Sequence, residues 1–316
     1  MKSAKTKNNN RDLSILGPIG ALVILMVFVT VLNPSFIKPT NIINLLRQVS
    51  VNALIAFGMS FVILTGGIDL SVGSILALTS AVFAGLLGSG VNPMLGVVIA
   101  LIVGSLLGVI NGVLITKGKM APFIATLATM TIYRGLTLVY TDGNPITNFS
   151  DAFSYKFIGR GFILGIPWPV ILMVIFFVIS LVILNKTPFG RKTYAIGGNE
   201  KASFISGIKV DNVKIKIYAI SGFLATMAGL ILTSRLNSAQ PTAGTAYELD
   251  AIAAVVLGGI SMSGGKGKIA GTLVGALILG TLNNGLNFLG VSSFYQQIVK
   301  GIVILIAVLI DRNRNK

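Results

Sequence analysis

The sequence contains no cysteine and no histidine, and it holds only 9 acidic residues against 25 lysines and arginines in 316 residues. The lack of cysteine and histidine excludes thiol chemistry, disulfides, haem ligation and the usual zinc sites. It also removes the most convenient proton-relay side chain from any pump mechanism. We therefore expect this chain to hold no metal and no cofactor.

Charge of either sign is scarce as well. Only 11% of the residues are charged and 53% are hydrophobic, with a mean hydropathy of +0.87, whereas a soluble domain averages roughly 25% charged residues. Long apolar runs of this kind predict an integral membrane protein made of helices rather than a β-barrel. The net charge of +16 does not indicate a nucleic-acid partner, because the basic residues lie in loops and tails. Membrane lipid is the expected surrounding.

The apolar runs predict an all-α polytopic bundle of about ten transmembrane helices. Residues 13–32 are expected to form the first span, since this run is too long for a signal peptide and no small-residue cleavage site follows it. Residues 70–116 contain no charge over 47 positions, which suffices for two spans joined by a turn at 88–93. The third and eighth spans are open to being re-entrant or broken helices. The predicted spans are residues 13–32, 49–65, two within 70–116, 121–141, 162–185, 217–234, 251–262, 269–288 and 293–310.

The distribution of basic residues predicts the orientation. Eighteen of the 25 lysines and arginines fall on one side of such a bundle, and an excess of basic residues marks the cytoplasmic side. Both termini and the loop 186–216 are then cytoplasmic, while residues 33–48, 142–160 and 235–250 are outside. The expected organisation is a cytoplasmic tail (1–12), a transmembrane domain (13–311) that includes the loop 186–216, and a second cytoplasmic tail (312–316).

The loop 186–216 is the longest polar segment after the N-terminal tail, and it is strongly basic. Asn199 is a suitable N-cap for a short helix, Glu200 complements the positive end of the helix dipole, and Gly207 is a suitable terminator. Such a helix would present Ala202, Phe204 and Ile205 to a partner. A simple connector, or side chains that fold back onto the inner surface of the same chain, are the alternatives.

Few polar groups lie within the apolar runs. The ionisable residues in or near predicted spans are Asp69, Arg134, Glu248, Asp250 and Lys300, and charges there usually mark a pathway or a pair. No row of carboxylates crosses the membrane, which argues against a proton- or sodium-coupled carrier, although uncharged sodium sites exist. The segment 263–269 does not match the phosphate-binding pattern G-x-x-x-x-G-K-[ST], so we expect no ATP binding by this chain itself.

Amides within or at the ends of the spans are candidates for a pathway that binds hydroxyl groups, because an unsatisfied amide is costly in an apolar environment. Hydrogen bonds between neighbouring helices are the alternative role for each of them. The candidates are Asn52, Asn111, Asn283, Asn284 and Asn287.

Small residues recur every fourth position in the fourth span, at Gly96, Ala100, Gly104, Gly108 and Gly112. This spacing lets helices approach closely. We expect it to serve packing within one subunit, with a seam between two subunits as the alternative. There is also a faint internal echo, since residues 64–71 resemble 256–263 and residues 107–112 resemble 279–285; internal duplication is common in transporters.

Several motifs together resemble the sugar permeases of ABC importers, the carbohydrate branch of the binding-protein-dependent permease family. The resemblance covers nearly all of the chain beyond its N-terminal tail. One departure is that Glu200 and Gly207 match the general E-A-A-x-x-x-G signature of importers only loosely, since one residue more separates them. The matching stretches are residues 66–73 (GGIDLSVG), 195–208 (AIGGNEKASFISGI), 238–259, 282–287 and 290–296.

The resemblance implies a permease of the type II importer kind in a bacterial cell membrane. Its implied partners are a second copy of the permease, a cytoplasmic ATP-binding subunit that hydrolyses ATP, and an extracytoplasmic sugar-binding protein. The implied cargo is a monosaccharide, with D-ribose expected and xylose, galactose or an autoinducer-type sugar as alternatives; a secondary sugar carrier and a channel are the rival classes. The family's coupling helix would correspond to residues 199–207, with Asn199, Glu200, Ala202, Phe204, Ile205 and Gly207 as its contact and capping residues.

Overall fold

The computed structural model describes residues 13–147, 149 and 152–314, and the regular structure of that part is almost entirely helical. The predicted tail 1–12 lies outside the described residues. A 3-10 turn at Pro34–Ile37 separates the first two helices. The thirteen α-helices of the described part are α1 (Leu13–Leu32), α2 (Pro39–Leu64), α3 (Val72–Gly88), α4 (Pro93–Thr116), α5 (Pro122–Thr141), α6 (Phe153–Arg160), α7 (Trp168–Lys186), α8 (Pro188–Gly198), α9 (Glu200–Ile205), α10 (Val210–Leu236), α11 (Tyr247–Leu257), α12 (Ile269–Phe288) and α13 (Ser293–Arg314).

Two very short antiparallel pairs of strands complete the fold. Strand β1 (Ile146–Thr147) pairs with β4 (Ser238–Ala239), so that Ile146 faces Ala239 across the pair. Strand β2 (Phe162–Ile163) pairs with β3 (Ile166–Pro167) as a small hairpin just before α7. Neither pair is a sheet in the architectural sense, and the predicted helical class is confirmed.

Within the described part of the chain, six helices are long and apolar enough to cross a membrane, namely α2, α4, α5, α7, α10 and α12. The apolar stretches of α2, α10 and α12 are 78%, 67% and 56% buried, whereas those of α4, α5 and α7 are only 33%, 28% and 28% buried. The first three therefore form the centre of the bundle. The other three present apolar side chains outward, as a protein surrounded by lipid requires.

Helix α2 begins ten residues earlier than the span that we predict at 49–65. Pro39 stands at its first positions, where the fixed φ of proline favours a helix start and its missing N–H costs no hydrogen bond. Arg47 lies inside this helix and places its guanidinium carbon 5.0 Å from the centre of the Phe162 ring. The expectation that residues 33–48 are an external connection is therefore wrong, because only 33–38 connect the two helices.

Three further connections contain more structure than the sequence predicts. The hairpin of β2 and β3 occupies the first residues of the span predicted at 162–185. The helix of that span, α7, therefore begins only at Trp168. Helix α6 lies in the predicted external loop 142–160, and α8 lies in the loop 186–216 before the predicted short helix. Their short lengths and mixed composition do not produce the long apolar signal of a span.

The two spans that the sequence leaves open are short helices preceded by non-helical chain, which is largely buried before α3 and partly exposed before α11. Helix α11 has 11 residues and therefore extends about 16 Å, well short of the roughly 30 Å of a hydrocarbon core. Helix α3 has 17 residues and follows a non-helical segment in which Asp69 and Ser71 are fully buried. Irregular backbone at such depth is tolerated where protein surrounds it.

The small residues of α4 pack against α10, and at Gly96 against α3, within the same chain, which confirms the predicted role of this stripe. A methyl group at Gly104 would collide with the Thr226 hydroxyl, and one at Gly108 would collide with the carbonyl of Tyr218. The two helix backbones are thus in direct contact. Gly271 and Gly275 of α12 approach Gly258 and Ala254 of α11 in the same way.

The two segments of the first internal echo each follow the end of a helix. Gly66 comes two residues after the end of α2 and Gly259 two residues after the end of α11, and their φ values are +75° and +84°. The echo pairs Gly66 with Gly258, whose φ is −69°, so the two turns are offset by one residue. The second echo places one segment near the end of α4 and the other in the C-terminal half of α12, which runs in the opposite direction.

Candidate functional site

The basic loops gather at one end of the bundle, which we call the basic end. The Nζ atom of Lys117, which follows α4, lies 4.0 Å from the Oδ2 atom of Asp211 at the start of α10. Tyr194 of α8 donates a hydrogen bond to the carbonyl of Gly267, in the loop that carries Lys266 and Lys268, at 3.0 Å. Three connections that are distant in sequence therefore form one surface.

The predicted short helix is present on this surface as α9. Asn199 caps it, since its Oδ1 accepts a hydrogen bond from the Ala202 N–H at 2.9 Å. Gly207 has a φ of +82° and lies just beyond its end, and Lys214 anchors Glu200 through an ion pair of 2.7 Å. The predicted caps at both ends are thus confirmed.

The apolar side chains of α9 point away from the rest of the chain. Phe204 is 72% exposed and Ile205 is 84% exposed, whereas Ser203 on the other face is 5% exposed. The alternative in which these side chains fold back onto the same chain is therefore not what the structure contains. Two large apolar side chains in water next to each other indicate a surface that a partner covers.

Glycine backbones connect this surface to the helix ends in the bundle, in a contact that we call the glycine junction. Gly197 of α8 lies so close to the Leu64 carbonyl and the Gly265 amide that it has no room for a Cβ. The Gly265 N–H also donates to the Leu64 carbonyl at 2.9 Å. Burial raises the pKa of the Tyr194 hydroxyl, which keeps it a neutral donor toward Gly267.

A polar cavity lies on the other side of this junction, between α2, α10, α11, α12 and α13. Its volume is about 180 Å³. Lys300 Nζ donates to Asp250 Oδ2 at 2.9 Å on its wall. The residues that line it are Gln48, Val49, Val51, Asn52, Leu232, Arg235, Tyr247, Asp250, Gly280, Asn283 and Lys300.

Apart from the Asp250–Lys300 pair, the polar side chains of the cavity have free hydrogen-bonding capacity. Among the described residues, none hydrogen-bonds to the side chains of Gln48, Asn52, Arg235, Tyr247 or Asn283. The Oδ1 atom of Asn283 is buried without any partner there. The cavity can thus offer both donors and acceptors to a polar solute.

The structure distributes the five candidate amides over several environments. Asn52 and Asn283 meet at the cavity. Asn284 and Asn41 of α2 form two hydrogen bonds with each other, at 2.9 and 3.1 Å, and Asn287 is exposed and accepts from Gln296 at 2.8 Å.

The fifth amide, Asn111, belongs to a buried network near the basic end. Its Nδ2 donates to the Ser71 hydroxyl at 2.7 Å, and that hydroxyl donates to Asp69 at 2.6 Å. Ser221 of α10 donates to the other oxygen of Asp69 at 2.8 Å. This network fixes the non-helical segment between α2 and α3 against α4 and α10.

The remaining charges that the sequence singles out are Arg134 and Glu248, which both line a second cavity, and Arg134 has partners in the backbone. Arg134 of α5 donates to the carbonyls of Pro241 and Ala243 at 2.6 and 2.8 Å. These carbonyls belong to the non-helical chain before α11. Because such chain lacks the regular hydrogen bonds of a helix, its carbonyls need other donors, and Arg134 supplies them.

Sequence reasoning missed three residues of the cavity, namely Gln48, Arg235 and Tyr247. All three fall into predicted external connections, Gln48 in 33–48 and both Arg235 and Tyr247 in 235–250, because polar residues near a helix end resemble loop residues. A signal for Gln48 is present in Pro39, which favours a helix start nine residues before it. Tyr247 has no comparable signal.

The chain matches one family model and several curated bacterial proteins. Residues 41–308 match the family described as the permease component of branched-chain amino acid transport systems. The ribose import permease protein RbsC of Bacillus subtilis (strain 168) is 69% identical over 300 residues, which cover 95% of this chain and 93% of that protein.

Two further relatives carry the same description. The ribose import permease protein RbsC of Haemophilus influenzae is 57% identical over 92% of this chain and 91% of its own length. That of Escherichia coli (strain K12) is 54% identical over 93% of this chain and 92% of its own length. No solved structure matches the chain.

Proposed function

The chain belongs to the family of permease components of branched-chain amino acid transport systems, and on this premise we propose that it is the membrane-spanning subunit of an ATP-driven importer of D-ribose. It is a multi-pass membrane protein and a transport component rather than an enzyme. The choice of ribose is supported by three relatives, at 54% to 69% identity, that are ribose import permeases.

The proposed partners are an ATP-binding subunit at the basic end, a sugar-binding protein at the opposite end, and a second copy of this chain. We propose about ten membrane passages with both termini and the basic end in the cytoplasm, in which α3 and α11 are the broken passages. The support is the clustering of basic residues at one end of the bundle. The weakly buried faces of α4, α5 and α7 offer apolar surface for lipid and for the second copy.

The single observation that carries the proposal is the exposed apolar pair on α9. Phe204 and Ile205 lie on a capped helix whose other face is held by the Glu200–Lys214 pair and by buried Ser203. Burial of such side chains contributes roughly 1.5–3 kcal/mol each. We propose that a groove of the ATP-binding subunit covers them, and that the motion of α9 reaches the bundle through the glycine junction.

In this mechanism the chain itself breaks no bond. ATP binding and hydrolysis on the partner shift the population between two arrangements of the helices. The glycine junction joins the end of α2 to the loop between α11 and α12, and all three of these helices line the polar cavity farther along their length. A displacement of α8 and α9 therefore acts directly on helices that border the cavity.

The test is co-purification of the ATP-binding subunit with variants of α9. We expect Phe204→Ala with Ile205→Ala, and separately Ala202→Asp, to reduce the recovered ATP-binding subunit by about tenfold or more, because each tenfold in affinity corresponds to about 1.4 kcal/mol. Uptake of ribose should fall in parallel, while membrane abundance stays normal.

Leu164→Ala is the matched control, since Leu164 is an apolar side chain that is 97% exposed in the hairpin before α7. It should leave co-purification and uptake unchanged. Normal recovery of the ATP-binding subunit with a well-inserted α9 variant would contradict the proposed coupling role of α9.

A further inference from the structure

We propose that the polar cavity is a binding site for one monosaccharide molecule within each single chain, and that Asn283 is one of its hydrogen-bonding residues. The inference rests on the proposed function as a sugar importer and adds to it the place where the sugar is held. It also implies that a sugar contacts α2, α10, α11, α12 and α13 of the same subunit.

Unused hydrogen-bonding capacity is the main argument. Five polar side chains around one cavity of about 180 Å³ have no partner among the described residues, and the Asn283 Oδ1 is fully buried. Leaving a buried polar group unsatisfied costs about 1–3 kcal/mol. Amide and hydroxyl groups fixed around a cavity in this way are suited to a solute that is itself polar.

The volume and the composition of the walls restrict the class of solute. A cavity of about 180 Å³ greatly exceeds the roughly 10–15 Å³ that admits one water molecule, so it has room for a small solute. Its lining combines amide donors and acceptors with the Tyr247 ring and the apolar side chains of Val51 and Leu232. Hydroxyl groups on a ring with apolar C–H faces match this mixture.

The charged side chains of the cavity are Asp250, Lys300 and Arg235. Lys300 is engaged by Asp250 at 2.9 Å, which leaves the Arg235 guanidinium to donate hydrogen bonds to a solute. Asp250 retains acceptor capacity toward hydroxyl groups because an ionised carboxylate has about four acceptor positions, and the Arg235 guanidinium adds donors for hydroxyl oxygens. A sugar can thus bind without breaking the ion pair.

The test uses the natural absence of cysteine from the chain. Val51→Cys places a thiol of similar size in the cavity wall without removing a polar group. The measurement uses the complete transporter with its binding protein and ATP-binding subunit, and a small polar maleimide as the thiol reagent. We expect saturating D-ribose to slow the reaction by about tenfold, because a sugar bound in the cavity blocks access to the thiol.

Two further variants make the result specific. Ser292→Cys, in the exposed turn before α13, should react at the same rate with and without ribose. Adding Asn283→Ala to Val51→Cys should abolish most of the protection by ribose. This change removes a side chain whose oxygen has no partner, so it leaves no new unsatisfied group in the fold.

The outcomes separate this inference from the proposed function. If the wild-type complex transports no ribose, the proposed function fails. If it transports ribose while the thiol at position 51 is unreactive in every condition, or reacts equally with and without ribose, the cavity is not the sugar site. Protection by inorganic phosphate but not by ribose would contradict the assigned class of ligand.

Discussion

Asn283 and Asn284 are neighbours on α12, yet they are in different chemical situations. The Asn283 oxygen is buried without a partner at the polar cavity, whereas Asn284 forms two hydrogen bonds with Asn41. The sequence predicts only that amides within apolar runs need partners. It does not predict which amide is satisfied, because Asn41 lies 243 positions away along the chain.

This difference leads to a prediction for Asn284. Asn284→Ala should lower the stability of the detergent-solubilised protein by about 1–3 kcal/mol, because the buried Asn41 Oδ1 loses its donor and the Asn41 Nδ2 keeps only its bond to the Phe36 carbonyl. The measurement is thermal unfolding, with Asn287→Ala as the control, since Asn287 is exposed.

The same variant tests the proposed pathway role of Asn284. Uptake of ribose per molecule of folded protein should remain close to that of the wild type if Asn284 serves only to join α2 and α12. A lower rate per folded molecule, or an altered preference between sugars, would instead place Asn284 on the sugar's route.

At the scale of elements, helices with long apolar runs are those that the sequence predicts well. The turn at 88–93 and the helices on either side of it, α3 and α4, are found as expected. The sequence predicts α2 too short because Arg47 and Gln48 interrupt its apolar run, and their side chains are accommodated by Phe162 and by the cavity. The groups that accommodate these two polar side chains are distant from them in sequence, so the local sequence does not reveal them.

Helix α8 escapes prediction for a different reason. It has only 11 residues and mixed composition, so neither a membrane signal nor a strong amphipathic pattern marks it. Its packing in the fold depends on Gly197, which is in close contact with Leu64 and Gly265. This contact forms only when three segments that are distant in sequence come together. The sequence contains many glycines, and the contact that each one makes is not encoded locally.

Two adjacent glycines of α8 provide a matched test of the glycine junction. Gly197→Ala should reduce ribose uptake strongly, since a Cβ there would collide with the Leu64 carbonyl and the Gly265 amide. Gly198→Ala should be tolerated, because nothing lies within 4 Å of the position its Cβ would occupy.

Both variants should be compared at equal membrane abundance, and the amount of co-purified ATP-binding subunit should be measured alongside uptake. We expect Gly197→Ala to retain the ATP-binding subunit while it loses uptake, because α9 itself is unaltered. Equal uptake by the two variants would show that the junction does not transmit motion.

At the scale of the whole molecule, the proposed orientation in the membrane rests on the distribution of charge. The sequence predicts that the loop 186–216 is cytoplasmic, and the obvious reporters are Ser203 and Ser150. Ser203 is 5% exposed, so a thiol there would resist reagents from either side, and Ser150 lies outside the described residues. Ser206 and Ser292 are both exposed, and they replace these two reporters.

A single cysteine at position 206 should not react with an impermeant thiol reagent applied to intact cells, and it should react after the cells are opened. A cysteine at position 292 should react in intact cells, because the turn between α12 and α13 lies at the end opposite to the basic loops. Reaction of position 206 from outside would overturn the proposed orientation.

The faces of α4, α5 and α7 mark a limit of sequence reasoning at this scale. Their apolar side chains are predictable, but lipid and a second protein chain both favour apolar residues, so composition does not distinguish a lipid-facing surface from an interface between subunits. The stripe of small residues on α4 illustrates this, since its role became clear only when Gly104 and Gly108 were found against α10.

The central claim is that ATP hydrolysis on a partner drives ribose through this chain, and reconstitution in vesicles tests it most directly. Vesicles that contain the chain with its ATP-binding subunit, ATP in the lumen and the sugar-binding protein outside should accumulate labelled D-ribose without any ion gradient. Omitting ATP or the ATP-binding subunit should abolish the uptake. Ribose accumulation by vesicles that contain this chain alone, in response to a proton or sodium gradient, would contradict the account and identify a secondary carrier.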